Sequence, residues 1–81
     1  MEIETVRNMI ESGLPGSSAT VTGDGAHFDA IVVSEAFESM NTLKRQRAVF
    51  ATLGDSITSG ALHALNIKAY TPEEWKTQTV Q

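Results

Sequence analysis

The stretch LHALNIKAYTPEEW, residues 62–75, contains two consecutive signals that decide how this part of the chain folds. Apolar and polar residues alternate over residues 64–70, which predicts a strand with one buried face. Thr71 then offers a capping hydroxyl, Pro72 fits the first turn of a helix, and Glu74 stands where a capping box requires it. The stretch therefore predicts a strand that leads directly into a short closing helix.

A hairpin is predicted nearer the N-terminus. Residues 19–22 have the composition of a short strand and residues 27–33 that of a second one. Between them lies Gly-Asp-Gly-Ala, and Asp-Gly favours the positive backbone angles of a tight turn. The more buried face of the second strand is expected to carry Phe28, Ala30 and Val32. The opposite face carries His27, Asp29, Ile31 and Val33, so it is not purely polar.

Two helical regions complete the pattern. The first has an apolar stripe made by Ile3, Val6, Met9 and Ile10, and it ends at the sequence SGLPG, residues 12–16. The second runs from about residue 41 to 57, with an apolar stripe of Met40, Leu43, Phe50, Leu53 and Ile57. Its basic residues, Lys44, Arg45 and Arg47, are expected to point largely to solvent. Gly54 favours a split of this region into two helices. The connection over residues 34–40 has no assigned shape.

The predicted order is α-β-β-α-α-β-α, an α+β fold. A three-stranded sheet with helices packed on one face is the simplest way to bury these stripes. The 81 residues suit a single domain, with a core over about residues 1–76 and a short C-terminal tail.

Composition and charge narrow the range of functions. The chain has no cysteine, so a metal ligand with sulfur would have to come from a partner. Its formal net charge is −4, but residues 1–40 carry seven acids and one arginine, whereas residues 41–81 carry three acids and five bases. No apolar run suits a membrane span, and the acidic N-terminus is unlike a signal or transit peptide, which favours a cytoplasmic protein. No nucleophile elbow, phosphate-binding loop or acidic metal cluster is present in the sequence, so an enzyme is disfavoured.

Two histidines, His27 and His63, are the candidate metal ligands. Neutral imidazole binds iron well, and two histidines can replace two thiolates on one iron. His27 begins the second predicted strand and His63 immediately precedes the third. If those two strands run parallel, their starting ends lie at the same edge of the sheet. The alternative is that both are surface or capping histidines. Two histidines without cysteine cannot complete a closed tetrahedral zinc site, so any tight metal site should be shared between proteins.

Three further features are candidates for a structural or a functional role. Lys44, Arg45 and Arg47, with Lys68 as a further cation, could contact phosphate or an acidic partner, or form the solvated face of a helix. Glu74 is chiefly a capping residue, and Trp75 is either part of the core or directed to a partner.

The chain resembles the BolA family over about residues 1–76. The resemblance is carried by the segments GDGAHF, VSEAFESM, LKRQRAVF, LHAL and KAYTPEEW, at residues 23–28, 33–40, 43–50, 62–65 and 68–75. The last two are the most specific, and they are similar to the branch of shorter bacterial paralogues.

The resemblance implies a fold similar to the class II KH domain and pairing with a monothiol glutaredoxin. In such a pair a [2Fe–2S] cluster is held by the glutaredoxin cysteine, a glutathione thiol and BolA histidine, so the isolated chain would bind no cluster tightly. It implies His63 as the main ligand and His27, in the hairpin loop, as the second. The partner-binding residues are expected to be Ala64, Lys68, Tyr70 and Trp75. Alone, the chain is expected to be a monomer or a weak homodimer.

Two residues depart from the family pattern. Ser39 stands where the family usually has Gly, and Gln46 stands where many members have His, which removes one further ligand for metal or phosphate. The implied function is a non-enzymatic adaptor in iron–sulfur cluster assembly or trafficking, iron homeostasis or stress response. Two alternatives stay open. One is a KH-like transcription regulator that binds DNA weakly through Lys44, Arg45 and Arg47, and the other is a protein that assembles with itself.

Overall fold

A computed structural model describes residues 2–24, 27–54 and 64–79 of the chain. Along the chain these residues form helix α1, strands β1 and β2, a 3₁₀ helix, helix α2, strand β3 and helix α3. Their bounds are Ile3–Gly13, Ser18–Gly23, His27–Val33, Glu35–Ser39, Thr42–Thr52, Ala64–Tyr70 and Pro72–Thr79. The predicted α+β class and order fit this structure. The connection whose shape the sequence left open contains the 3₁₀ helix, and the Ser34 hydroxyl accepts a hydrogen bond from the Ala36 N–H at its start.

The three strands form one mixed sheet in the order β1-β2-β3. β1 and β2 are antiparallel, as expected for the predicted hairpin, and β2 and β3 are parallel. In the parallel pair His27 lies opposite Ala64 at one end, and Val33 lies opposite Tyr70 at the other. The starting ends of β2 and β3 therefore do share an edge of the sheet.

One face of the sheet packs against α1 and α2. The buried core residues are Val6, Ile10, Ala19, Val21, Phe28, Ala30, Val32, Phe37, Val49, Leu53 and Ile67. Alternation along the strands places Thr20, Asp29 and Lys68 on the opposite face, which the described helices leave largely open. The predicted inward face of β2 is confirmed, because Phe28, Ala30 and Val32 are all buried.

The apolar stripe of α1 is confirmed at its centre. Val6 and Ile10 are fully buried and Met9 is half-buried, whereas Ile3 at the first position is exposed. The end of α1 lies against the end of α2, and a Cβ on Gly13 would come within 2.6 Å of the Thr52 side chain. Only glycine fits at that point, so the two helices approach each other more closely than a side chain at residue 13 would allow.

The predicted stripe of α2 was wrong in one residue. Leu43 is 56% exposed, and Val49, which the prediction left out, is fully buried together with Leu53. At 100° per residue Leu43 lies about 120° around the helix from Val49, so it cannot share the face that Val49 and Leu53 present to the core. α2 ends at Thr52, and Gly54 adopts a left-handed conformation with φ +52. The remainder of that predicted helical region lies outside the described residues.

Candidate functional site

The first candidate ligand, His27, is the first residue of β2, at the end of the sheet that we call the histidine end (Asp24, His27 and Ala64). The backbone of His27 is held by Asp24. The Asp24 carboxylate accepts a hydrogen bond from the His27 N–H at 2.9 Å, and the Asp24 N–H donates to the His27 carbonyl at 3.2 Å. The side chain of His27 is 73% exposed, so a docking molecule can reach its ring.

The imidazole of His27 also faces the same carboxylate. Its Nδ1 lies 3.9 Å from Oδ1 of Asp24. This distance is too long for a hydrogen bond but short enough for the carboxylate to act electrostatically on the ring. Sequence reasoning treated Asp24 only as a turn residue. Its three-residue spacing from His27, in a turn where aspartate side chains accept backbone N–H groups, was the available signal.

The second candidate ligand, His63, lies outside the described residues. Its sequence neighbour Ala64 is exposed and pairs with His27 across the parallel strands. Within residues 2–24, 27–54 and 64–79, no group of three or more histidine, aspartate or glutamate side chains could hold a metal ion.

The four predicted partner-binding residues lie along β3 and the start of α3. Ala64 and Lys68 are exposed on the open face of the sheet. Tyr70 and Trp75 are half-buried, and their ring centroids are 5.4 Å apart at an interplanar angle of 45°. Trp75 therefore packs against Tyr70 at the end of β3. Near the histidine end, Asn66 donates a hydrogen bond to Asp29 at 3.2 Å.

The opposite end of β2 and β3 is occupied by a hydrogen-bonded network that we call the arginine end (Arg45, Thr71 and Glu74). The side chain of Arg45 is only 14% exposed. Its Nε donates to the carbonyls of Phe37 and Met40, and its Nη1 donates to the carbonyl of Ala69. Both Nη atoms also donate to the carboxylate of Glu74, at 2.6 and 3.2 Å.

This geometry corrects the predicted orientation of Arg45, which does not point to solvent. Arg45 lies four residues before Val49, so it belongs to the inward face of α2, and its long side chain reaches the carbonyls at the end of β3. The i, i+4 spacing to Val49 was the signal that could have shown this.

Of the three predicted nucleic-acid contacts, Lys44 and Arg47 remain exposed on α2. The guanidinium of Arg45 is engaged by acceptors of its own chain, so it is a poor candidate for phosphate. Lys68 is exposed on β3, on the face of the sheet opposite the one that buries Ile67.

Gln46, the residue that departs from the family's Arg-His pattern, has a structural contact here. Its side-chain amide donates to the carbonyl of Ile67 at 3.0 Å. On the other edge strand, Glu11 of α1 accepts a hydrogen bond from the N–H of Ala19 at 2.9 Å. Helix side chains thus satisfy backbone groups along both β1 and β3, which blunts these edges against pairing with another strand.

The capping box predicted at the start of α3 is confirmed. The Thr71 hydroxyl accepts from the Glu74 N–H at 3.2 Å, and the Glu74 carboxylate accepts from the Thr71 N–H at 2.9 Å. The bond from Arg45, and after it the bond from the Thr71 backbone, hold the pKa of the Glu74 carboxyl below its ordinary value, against the opposing effect of desolvation. Glu74 therefore caps α3 and joins it to α2 through Arg45.

The fold places this chain in the class of small α+β domains in which helices pack against a mixed three-stranded sheet. The chain belongs to the BolA-like protein family, whose sequence pattern matches residues 2–74. It is 39% identical over 75 residues to the acid stress protein IbaG of Escherichia coli, an alignment that covers 93% of this chain and 89% of that protein.

Solved structures agree with this assignment. The BolA homologue from Coxiella burnetii superposes with a TM-score of 0.85 at 38% identity, covering 94% of this chain and 97% of that one. The BolA domain of SufE1 from Arabidopsis thaliana superposes with a TM-score of 0.76 at 33% identity, covering 88% and 92% of the two chains. In the described part of the chain, no helix is long and apolar enough to span a membrane.

Proposed function

We propose that this protein is an adaptor that pairs with a monothiol glutaredoxin and shares a [2Fe–2S] cluster with it, in iron–sulfur cluster assembly or trafficking or in iron homeostasis. Family membership supports the proposal, because the BolA resemblance implies this partnership. The observation that carries it is the exposed imidazole of His27 opposite Ala64, the residue that follows His63 in the sequence.

The residues of the chain fit such a cluster in their chemistry. An imidazole nitrogen is a suitable ligand for iron, and histidine ligands in place of thiolates are known for [2Fe–2S] centres. The chain has no cysteine, so sulfur ligands would come from the glutaredoxin and glutathione. The cluster would supply redox-active iron, while this chain would contribute His63 and His27 and an open sheet face for docking.

The test is to add the purified protein to cluster-loaded monothiol glutaredoxin with glutathione and to record visible circular dichroism. We expect a new spectrum with the wild-type chain, a strong loss of the change with His63→Ala, and a partial loss with His27→Ala. Thr5→Ala, an exposed substitution on α1, is the control and should behave as wild type. An unchanged spectrum, or one that changes equally with His63→Ala, would falsify the proposal.

A regulator that binds nucleic acid is the second candidate, since Lys44 and Arg47 are exposed on α2 and lie three residues apart on its surface. A gel-shift series in rising salt tests it with the double variant Lys44→Ala/Arg47→Ala. Contacts to phosphate weaken steeply with ionic strength. Binding at low salt that the double variant abolishes would favour this function, and absence of binding at low salt would remove it.

A further inference from the structure

The turn before β2 brings one carboxylate oxygen to two groups of the same histidine. Oδ1 of Asp24 accepts the backbone N–H of His27 at 2.9 Å and lies 3.9 Å from its ring Nδ1. The backbone bond fixes where the carboxylate sits relative to the start of β2. The carboxylate charge therefore faces the Nδ1 side of the imidazole.

We propose that Asp24 is a positioning residue that keeps the proton of neutral His27 on Nδ1 and so leaves the lone pair on Nε2 for a metal. A neutral imidazole carries one N–H and one lone pair, and a nearby carboxylate attracts the N–H and repels the lone pair. Carboxylates commonly orient metal-binding histidines by accepting a hydrogen bond from the ring N–H. At 3.9 Å the Asp24 carboxylate would act on the Nδ1 side of His27 through its charge. The role of this proton placement in metal binding rests on the proposed cluster-sharing function. The proton placement itself is a property of the isolated chain.

A second carboxylate, Asp29, provides the matched comparison. It lies two residues after His27 on the same face of β2, and its Oδ1 accepts a hydrogen bond from Asn66 of β3 at 3.2 Å. Its charge is thus directed across the sheet toward β3. Replacing Asp29 removes one negative charge near His27 without touching the turn that Asp24 closes.

The experiment measures the tautomer of His27 by long-range ¹H–¹⁵N correlation spectra of the ring nitrogens. The isolated chain is studied at alkaline pH, where imidazole is neutral, and the signals are assigned by their absence from His27→Gln. We expect an excess of the Nδ1–H form in wild type, although free histidine favours Nε2–H. Asp24→Asn keeps a side-chain oxygen for the backbone N–H but removes the charge, so the ratio should fall several-fold toward Nε2–H. Asp29→Asn should leave the ratio unchanged.

An excess of the Nε2–H form in wild type overturns the proposal whatever the variants do. So does an equal ratio in wild type and Asp24→Asn, or an equal shift with Asp29→Asn. The sample contains neither glutaredoxin nor cluster, so a result against the role of Asp24 is distinct from failure of the proposed function. An orientation that depends on Asp24, together with unchanged circular dichroism in the glutaredoxin experiment, would support the role of Asp24 and reject the glutaredoxin partnership.

Discussion

The two ends of β2 and β3 differ in how their polar side chains are used. At about 3.3 Å per residue the histidine end and the arginine end lie roughly 20 Å apart on the same strands. At the arginine end, Arg45 and Glu74 bond to each other and to the backbone of the 3₁₀ helix, β3 and α3. At the histidine end, His27 presents a largely exposed ring, while its backbone N–H is held by the carboxylate of Asp24.

This difference indicates that the arginine end contributes to stability. In the proposed function, the histidine end is the one that binds a partner. A guanidinium with most of its surface covered contributes to folding through bonds that only the native structure brings together, and its loss removes three partly buried hydrogen bonds to backbone carbonyls. An exposed imidazole contributes little to folding and is free to be covered by a partner. In the proposed function His27 would be a ligand at the start of a strand, a rigid support that favours accurate placement.

The largest expected effect on stability is that of Arg45→Ala. The substitution removes the donor to the carbonyls of Phe37, Met40 and Ala69 and the partner of Glu74, so we expect a loss of about 2–4 kcal/mol in the free energy of unfolding. Urea denaturation measures it. Arg47→Ala, an exposed arginine on the same helix, should change stability by less than about 0.5 kcal/mol. Equal losses for the two variants would show that Arg45 has no special structural role.

A smaller effect is expected for Thr71→Ala. This variant removes the hydroxyl that accepts the Glu74 N–H at the start of α3, and loss of a capping hydroxyl costs about 1 kcal/mol. Thr77→Ala, on the exposed side of α3, is the control. Thermal unfolding followed by circular dichroism compares them, and a Thr71→Ala protein as stable as the Thr77→Ala protein would contradict the capping role.

The pH dependence of stability isolates the ion pair of the arginine end. The folded state lowers the pKa of Glu74 from its ordinary value of 4.5, so its carboxylate stabilises the fold fully above that value. This contribution is lost as the pH falls through the lower folded-state pKa. Glu74→Gln retains a capping side chain but not the charge, so the advantage of wild type over this variant should be present at neutral pH and vanish in strong acid. Urea midpoints from pH 7 to pH 2 test it, and a constant advantage would refute the charge contribution.

The smallest effect on stability is expected at the histidine end. His27→Ala should change the free energy of unfolding by less than about 0.5 kcal/mol, because the side chain is exposed and its backbone bond to Asp24 does not need the ring. The same urea series measures it. A loss as large as that of Arg45→Ala would mean that the two ends of β2 and β3 contribute equally to stability.

Much of the fold was predictable because its signals are local. Strand alternation in β2 and β3 and the Thr71–Glu74 capping box each involve residues close together in the sequence. Residues 25 and 26 of the predicted Asp-Gly turn lie outside the described residues. The stripe of α2 was predicted less well, because Val49 and Leu43 are both apolar and only the packed sheet distinguishes the buried one. Of the candidate site, the position of His27 at the start of β2 followed from the strand pattern. The starts of β2 and β3 were predicted to be neighbours only if the two strands ran parallel, and the relation of Asp24 to the ring of His27 was missed.

The amino-acid sequence by itself determined the helices, the strands, the hairpin and the absence of any cysteine sulfur, since each depends on residue type and on spacing of a few positions. Only the tertiary structure decided that Arg45 turns inward while Lys44 and Arg47 stay outside. The acceptors of Arg45 at Ala69 and Glu74 lie 24 and 29 residues away in the chain. They come within reach of Arg45 only when β3 and α3 pack beside α2. The parallel pairing that places His27 opposite Ala64 is likewise a long-range contact, which no short pattern specifies.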